Sequence, residues 1–323
     1  MKTFFDEAED NVFYMQKDLY YGSNFLLYSD GSALKTLDIK HKKSYTIAGV
    51  SRNSNYAYAE GLGTGARFNW ITSFEQLTKD IVLVTDFHNN CIRIINRSTN
   101  LTKSYAGKCG TPGKTDGSLT NARFMKPEEI TMSPAQNILY ICDGTSIREL
   151  NVDHGTVSTF QNISYMPISL VVDNKNKNIY VSVTTRILQI DIRTKQRIYL
   201  SKSTESGYPD GSLKTALFES IFNFIFLNPQ TILAVDSKNY RLRVIDLSEE
   251  EVYSICNGIN FPKDGDANSC QLSSPLSVTL LKEESLILIG GYQKIRSLSI
   301  SGNYKCYFTL LVTAYFIFIA MEV

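Results

Sequence analysis

The sequence lacks the constellations on which most catalysis is built. Its three histidines (His41, His88 and His154) are scattered, and no Cys-x2-Cys spacing occurs, which argues against a zinc centre. No glycine-rich phosphate loop, paired-His metal motif or serine elbow is present. Charge of one sign is missing too. Lys+Arg number 33 against 32 Asp+Glu, for a net charge of +1, and the signs are interspersed. That excludes the basic face a nucleic-acid binder needs. No stretch carries a long apolar stripe at helical spacing, which excludes a helical bundle. The first ten residues hold four acids and no apolar core, unlike a secretory signal.

What is present is a phrase that recurs four times. Glu60-Gly61 is followed by Ala66-Arg67-Phe68, Asp116-Gly117 by Ala122-Arg123-Phe124, and Asp210-Gly211 by Ala216-Leu217-Phe218. A degraded copy is Asp264-Gly265 with Cys270-Gln271-Leu272. In each copy the acid stands six positions before the small residue. Self-similarity at a long period marks a repeat architecture. Six apolar runs accompany it, beginning at Phe25, Ile81, Ile138, Ile179, Ile232 and Leu286, and partner runs such as Cys91–Ile95 and Leu242–Ile245 follow. β-Branched and aromatic runs bounded by Gly, Asp, Asn and Ser read as short strands. Six units in 323 residues give about 54 residues each, a little above the period of about 40–50 of common propeller blades. An all-β, six-bladed β-propeller is the economical fold, spanning 1–303, with a hydrophobic tail at 304–323.

Asp-Gly-x4-Ala-Arg-Phe, a strand, an Asp, Ile-Arg and then Ala-Gly (Ala48-Gly49 and Ala106-Gly107) resembles the NHL repeat. The resemblance runs from about residue 12 to about residue 303. It implies a six-bladed propeller of the secreted or cell-surface type.

Acid–base pairs recur around the turn between the second and third strands of a unit: Asp86 with Arg93, Asp143 with Arg148, and Asp236 with Arg243. Asp30 with Lys35 is a weaker version. Such pairs fix a turn through charge-assisted bonds, and we read them as structural ion pairs. In the fourth unit Val183 and Leu188 replace both partners together, as expected when a lone buried charge costs more than none. The sixth keeps Arg296 but has Gly291 at the acidic position, so its Arg is expected to be exposed or paired elsewhere. Phe68, Phe124, Phe218 and Leu272 are expected to plug the gaps between blades, and the phrase glycines to serve turns at positive φ. The fourth unit has no Asp-Gly opening between Thr159 and Pro167. The first has lost its own, which favours truncation, and Asn11–Leu19 and Tyr304–Leu311 are candidates for the blade that closes the ring.

Position suggests two cysteine pairs, Cys91 with Cys109 and Cys256 with Cys270, although six cysteines allow fifteen pairings. The Asn-Cys-Ile-Arg and Ala-Gly-Lys-Cys-Gly contexts resemble secreted NHL proteins, which implies a disulfide between Cys91 and Cys109. Zinc ligation and buried free thiols are the competing readings, and Cys142 and Cys306 have no evident partner. Sequons at Asn96, Asn100 and Asn162 fall in turn-like stretches where a glycan can be carried. The uncharged stretch 306–321 sits just below the length of a spanning helix, usually about 17–25 residues. It is a candidate membrane contact, with a GPI signal or a closing strand as alternatives. Disulfides and sequons point outside the cell, whereas a span without a signal peptide would be a tail anchor on a cytosolic propeller.

No catalytic or metal-binding residues emerge, and no cofactor is expected. The function this implies is a non-catalytic binding or scaffold module, presenting propeller-face loops to a protein or glycan. A metal-dependent propeller hydrolase or lyase is one alternative, although the carboxylates of Asp86, Asp143 and Asp236 are better explained by their Arg partners. An RNA-binding propeller is the other, and it requires Lys35, Lys40, Arg67, Arg123 and Arg148 to converge on one rim. DNA is not expected as a partner.

Overall fold

The computed structural model describes residues 2–5 and 12–299, apart from 23, 52–55, 136, 202, 257, 259–262, 267–268, 284 and 292–293. Six antiparallel sheets form a ring of blades. The strand nearest the channel is Tyr14–Lys17 in blade 1, Ile71–Gln76 in blade 2 and Pro127–Met132 in blade 3. It is Pro167–Val172 in blade 4, Ile221–Asn228 in blade 5 and Pro275–Leu281 in blade 6. Each inner strand packs on the next, and the first meets the last, so the ring closes.

The closing strand is not where the sequence suggested. Lys2–Phe5 pairs with Lys294–Ser299 and completes blade 6. Residues 12–19 instead form the innermost strand of blade 1 and its flanks, and 304–311 lie outside the described residues. Closure removes the open edges that would template aggregation. The tail at 304–323 also lies outside the described residues, among which no helix is long and apolar enough to cross a membrane.

Apolar cores fill the spaces between adjacent blades. Phe68 is buried among Leu27, Leu34 and Ala48 of blade 1 and Phe74, Val82 and Ile95 of blade 2. Phe124 fills the next gap, Phe218 the one between blades 4 and 5, and Leu272 the one between blades 5 and 6. The gap between blades 3 and 4, where the phrase is missing, is filled by Ile163 and Phe160. The connection there spans only 163–166. The Ala-Gly ending follows from the same packing. A Cβ on Gly107 would lie 2.8 Å from the Phe124 ring, and one on Gly49 would lie 3.0 Å from the Phe68 ring. Both glycines also adopt positive φ, at 83° and 93°, so a larger residue would be strained twice over.

Hydrogen bonds from inner-strand side chains lace the blades together. Ile130 N–H donates to Ser73 Oγ, Leu170 N–H to Glu129 Oε2, and Val278 N–H to Asn223 Oδ1. Asn223 Nδ2 also donates to Glu129 Oε1. Met132 N–H donates to Glu75 Oε2. Buried backbone donors on a channel wall must find partners, and these side chains supply them across the seams.

Candidate functional site

The recurring arginines and turn acids are placed inside the blades. Arg93, Arg148 and Arg243 are each fully buried. Their Nη1 atoms meet Asp86, Asp143 and Asp236 at 3.0, 3.1 and 2.9 Å. Each guanidinium also donates to carbonyls of the preceding phrase: Arg67 and Ala59, Arg123 and Thr115, Leu217 and Pro209. Each lies over the plug ring, Phe68, Phe124 or Phe218, at 5.2, 5.3 and 4.7 Å. The opposite carboxylate oxygen accepts the backbone N–H of Asn69, Met125 or Glu219 just before the inner strand. Turn and phrase are thus one polar knot.

The phrase acid has a role that the sequence reading missed. Asp116 and Asp210 bind the second guanidinium nitrogen of Arg148 and Arg243, at 2.8 and 3.0 Å. Each also accepts from the outer strand of the same blade, from Thr159 Oγ1 and from Ser254 N and Oγ. Glu60 accepts from Ser104 N in the same way. In blade 6, where Gly291 removes the turn acid, Arg296 pairs with Asp264, the acid of the degraded phrase. Val183 and Leu188 of blade 4 are buried in an apolar core. Lys35 pairs with Asp30 at 3.0 Å. Gly61, Gly117 and Gly211 take positive φ, but Gly265 does not.

Cys91 is joined to Cys109 and Cys256 to Cys270, with Cα atoms 5.0 and 4.6 Å apart. Each bond ties a blade to the segment that leaves it. Cys142 is a buried free thiol, and Cys306 lies outside the described residues. The bridges close loops of 18 and 14 residues. Replacing either pair by alanine is expected to lower stability by about 3 kcal/mol, read as a fall in the denaturant midpoint at constant slope. Asn96, the last residue of the third strand of blade 2, is half-buried, while Asn100 in the following turn and Asn162 at the end of blade 3 are exposed.

The basic residues that an RNA face would require do not converge. Lys35 and Arg148 are buried in ion pairs, and Lys40 sits on an exposed turn at the opposite end of blade 1 from Asp30. Arg67 and Arg123 fold back onto carbonyls of their own phrases. Among the described residues no group of three His, Cys, Asp or Glu side chains is placed to hold a metal. The three histidines lie in three different blades.

A cluster of accessible groups does form at one end of the ring, where the inner strands begin and the second strands turn into the third. On this upper rim, Trp70 precedes the inner strand of blade 2 and is half-buried. Its ring lies 4.7 Å from Phe13 of blade 1 and 5.7 Å from Tyr56 of the incoming linker. His88, on the turn of blade 2, meets the Trp70 ring at 6.2 Å and Phe87 at 4.7 Å. Lys126, just before the inner strand of blade 3, stands over Phe87 at 5.7 Å. Gly31 lets Phe13 approach, since a Cβ there would lie 3.2 Å from that ring. Blades 1 to 3 thus share a continuous aromatic run edged by an imidazole and an ammonium.

Electrostatics at this run is mixed rather than strongly charged. Partial burial, then the Lys126 charge, push the His88 imidazole below its ordinary value. At neutral pH it therefore offers one donor and one acceptor. Glu128, the second residue of blade 3's inner strand, has its carboxyl lifted by burial to about 7, against the pull of Lys126. Flat aromatic surface with polar groups at its edges suits an amphipathic ligand, one face apolar and its rim hydroxylated. The sequence signal was slight: Trp70 is the chain's single tryptophan, and its partners lie far from it along the chain.

No protein-family model matches the sequence, and no curated protein matches it. The fold is shared with solved structures. An auxiliary nutrient binding protein from Bacteroides ovatus superposes with a TM-score of 0.70 at 14% identity, covering 90% of this chain and 70% of that one. A protein of the same description from Bacteroides thetaiotaomicron gives 0.66 at 14% identity, covering 91% and 69%. Hydrazine synthase from Kuenenia stuttgartiensis gives 0.57 at 10% identity, covering 94% and 98%. Such low identity carries the fold and nothing further.

Proposed function

We propose that this chain is a non-catalytic binding module, which engages a glycan or protein partner outside the cell through the upper rim of the propeller. The observation that carries this reading is the aromatic run Phe13–Trp70–Tyr56 with His88 and Lys126 at its edge. Rings held half-exposed on a rigid scaffold lose little entropy when they bind, which is why tyrosine and tryptophan dominate binding hot spots. The structural relatives described as nutrient binding proteins are in keeping with it. The phrase, the knot and the Ala-Gly ending favour an NHL-type blade. Two disulfides favour an oxidising compartment. Anchoring by 306–321 is part of the same proposal.

A glycan and secretome binding screen with the wild-type chain and Trp70→Ala tests this. Saturable binding that weakens tenfold or more in the variant, with unchanged thermal unfolding, is the expected result. Hydrolase or lyase turnover, or binding indifferent to Trp70, would overturn it.

A further inference from the structure

The opposite side of the upper rim carries a second, chemically different feature. Arg186 is the first residue of the third strand of blade 4 (Arg186–Asp191). It faces Val183, which stands where blades 2, 3 and 5 carry the turn acid. Its guanidinium carbon lies over two aromatic rings, 4.8 Å from the Tyr165 ring and 4.3 Å from the Tyr199 ring. Among the described residues it has no carboxylate partner and no hydrogen-bond acceptor, and its Nε is buried without one. Arg186 is half-buried, whereas the buried arginines Arg93, Arg148, Arg243 and Arg296 each hold at least one acid.

The position recurs one blade on. Arg241 opens the third strand of blade 5 (Arg241–Asp246) and lies 4.5 Å from the Tyr208 ring. It stands opposite Asp236, whose carboxylate is held by Arg243; among the described residues its one hydrogen bond is a long one, 3.4 Å, to Ser254 Oγ, and its Nε too is buried without a partner. Lys238, on the adjoining turn, is exposed. Tyr165 and Tyr208 are 44% and 58% exposed, so both stacks open to solvent.

A guanidinium stacked on tyrosines keeps its planar donor fork free in the ring plane, where it can bind a carboxylate or sulfate bidentately. Partial burial strengthens that bond relative to one in bulk water. A purely structural arginine would be expected to resemble Arg93 or Arg148, with every terminal nitrogen engaged.

We propose that Arg186, supported by Arg241, is an anion subsite that recognises the carboxylate or sulfate groups of an acidic oligosaccharide lying across the upper rim. This inference rests on the upper-rim binding proposed above and names the class of glycan. The aromatic run on blades 1 to 3 would hold sugar faces, and the two arginines on blades 4 and 5 would hold the acidic substituents.

Calorimetry on the full chain tests it with three probes: an oligogalacturonate, a sulfated heparin-type oligosaccharide and a neutral oligosaccharide of equal length. At least one acidic probe is expected to bind tenfold or more tighter than the neutral one. Arg186→Ala should abolish that preference, and Arg186→Lys should restore only part of it, because an ammonium lacks the fork. The carboxylated and sulfated arms show which anion is preferred. Equal binding of acidic and neutral probes, or a preference untouched in Arg186→Ala, overturns the anion subsite while leaving the aromatic surface standing. Binding of none of the three overturns it, and protein binding lost in Trp70→Ala would then redirect the rim to a protein partner. If Arg186→Ala fails to fold, Tyr165→Ala, which removes one wall of the stack at an exposed position, carries the same test.

Discussion

Arg148→Ala is expected to destabilise the fold by about 3–5 kcal/mol, the cost of stranding a buried carboxylate. Asp143 is fully buried and would keep only Met125 N–H as a donor, while the Arg123 carbonyl would lose its guanidinium donor and the Thr115 carbonyl would keep only Arg123 N–H. Asp116 would be less affected, because its side chain is 50% exposed and can turn to water. Removing both charges together, Asp143→Val with Arg148→Leu, copies what blade 4 already does with Val183 and Leu188, which are buried among Cys142, Ile147 and Leu170. The double variant is expected to recover at least 1 kcal/mol relative to the sum of the two single ones. Denaturant unfolding of all four chains measures the coupling directly. Single losses that merely add would mean that the pair acts as two independent groups and that the knot has been misread.

The blade pattern was legible because physics repeats it. Each plug needs the same cavity, each buried Arg needs the same acid, and a repeat therefore writes the same letters at a fixed spacing. Blade 4 was legible for the complementary reason: both partners vanish at once, and nothing is left uncompensated. The closing strand was not legible. Lys2–Phe5 is a four-residue strand beside an acidic stretch, and a strand completed by pairing with a residue near 295 leaves no local pattern. The second partner of Arg148 and Arg243 was missed for a similar reason. The phrase acid and the third-strand Arg lie about 32 residues apart, at 116 and 148 or 210 and 243, and only the folded blade joins them. The rim features do not follow the six-fold repeat. Trp70 occurs once and the Tyr-stacked arginine only in blades 4 and 5, which is how a site on a repeat scaffold differs from the scaffold. One signal was available: an Arg at 186 and again at 241, where blades 2 and 3 carry Cys91 and Ser146, with no acid at 183 to hold the first of them.

Stability is expected to fall as pH rises from 5 to 8.5, against the usual direction for a protein rich in paired carboxylates. The cause lies on the channel wall. Burial lifts the Glu129 carboxyl to about 8 and the Glu75 carboxyl to about 6. Their hydrogen-bond partners are uncharged: Leu170 N–H and Asn223 Nδ2 for Glu129, Met132 N–H and Gln16 Nε2 for Glu75. The ionisable groups facing Glu129 are Glu128, Glu75, Tyr14 and Cys142, and a negative charge on any of them opposes its ionisation. Below about pH 4 both folded and unfolded chains hold most of these protons. Above it the unfolded chain releases them first, so the folded state loses ground until its own groups ionise near pH 8. For Glu129 alone the loss is on the order of 4 kcal/mol, at about 1.4 kcal/mol per pH unit of displacement. Carboxyls held low, such as that of Glu60, act in the opposite sense but only below about pH 4.5, outside this window. Guanidinium unfolding at pH 5, 7 and 8.5 measures the slope. Glu129→Gln, which cannot ionise, should remove the largest single part of it, with Glu128, Glu75 and Asp143, also lifted by burial, supplying the rest. A slope that is flat or rising in the wild-type chain would mean that water or a cation reaches Glu129 and holds it ionised.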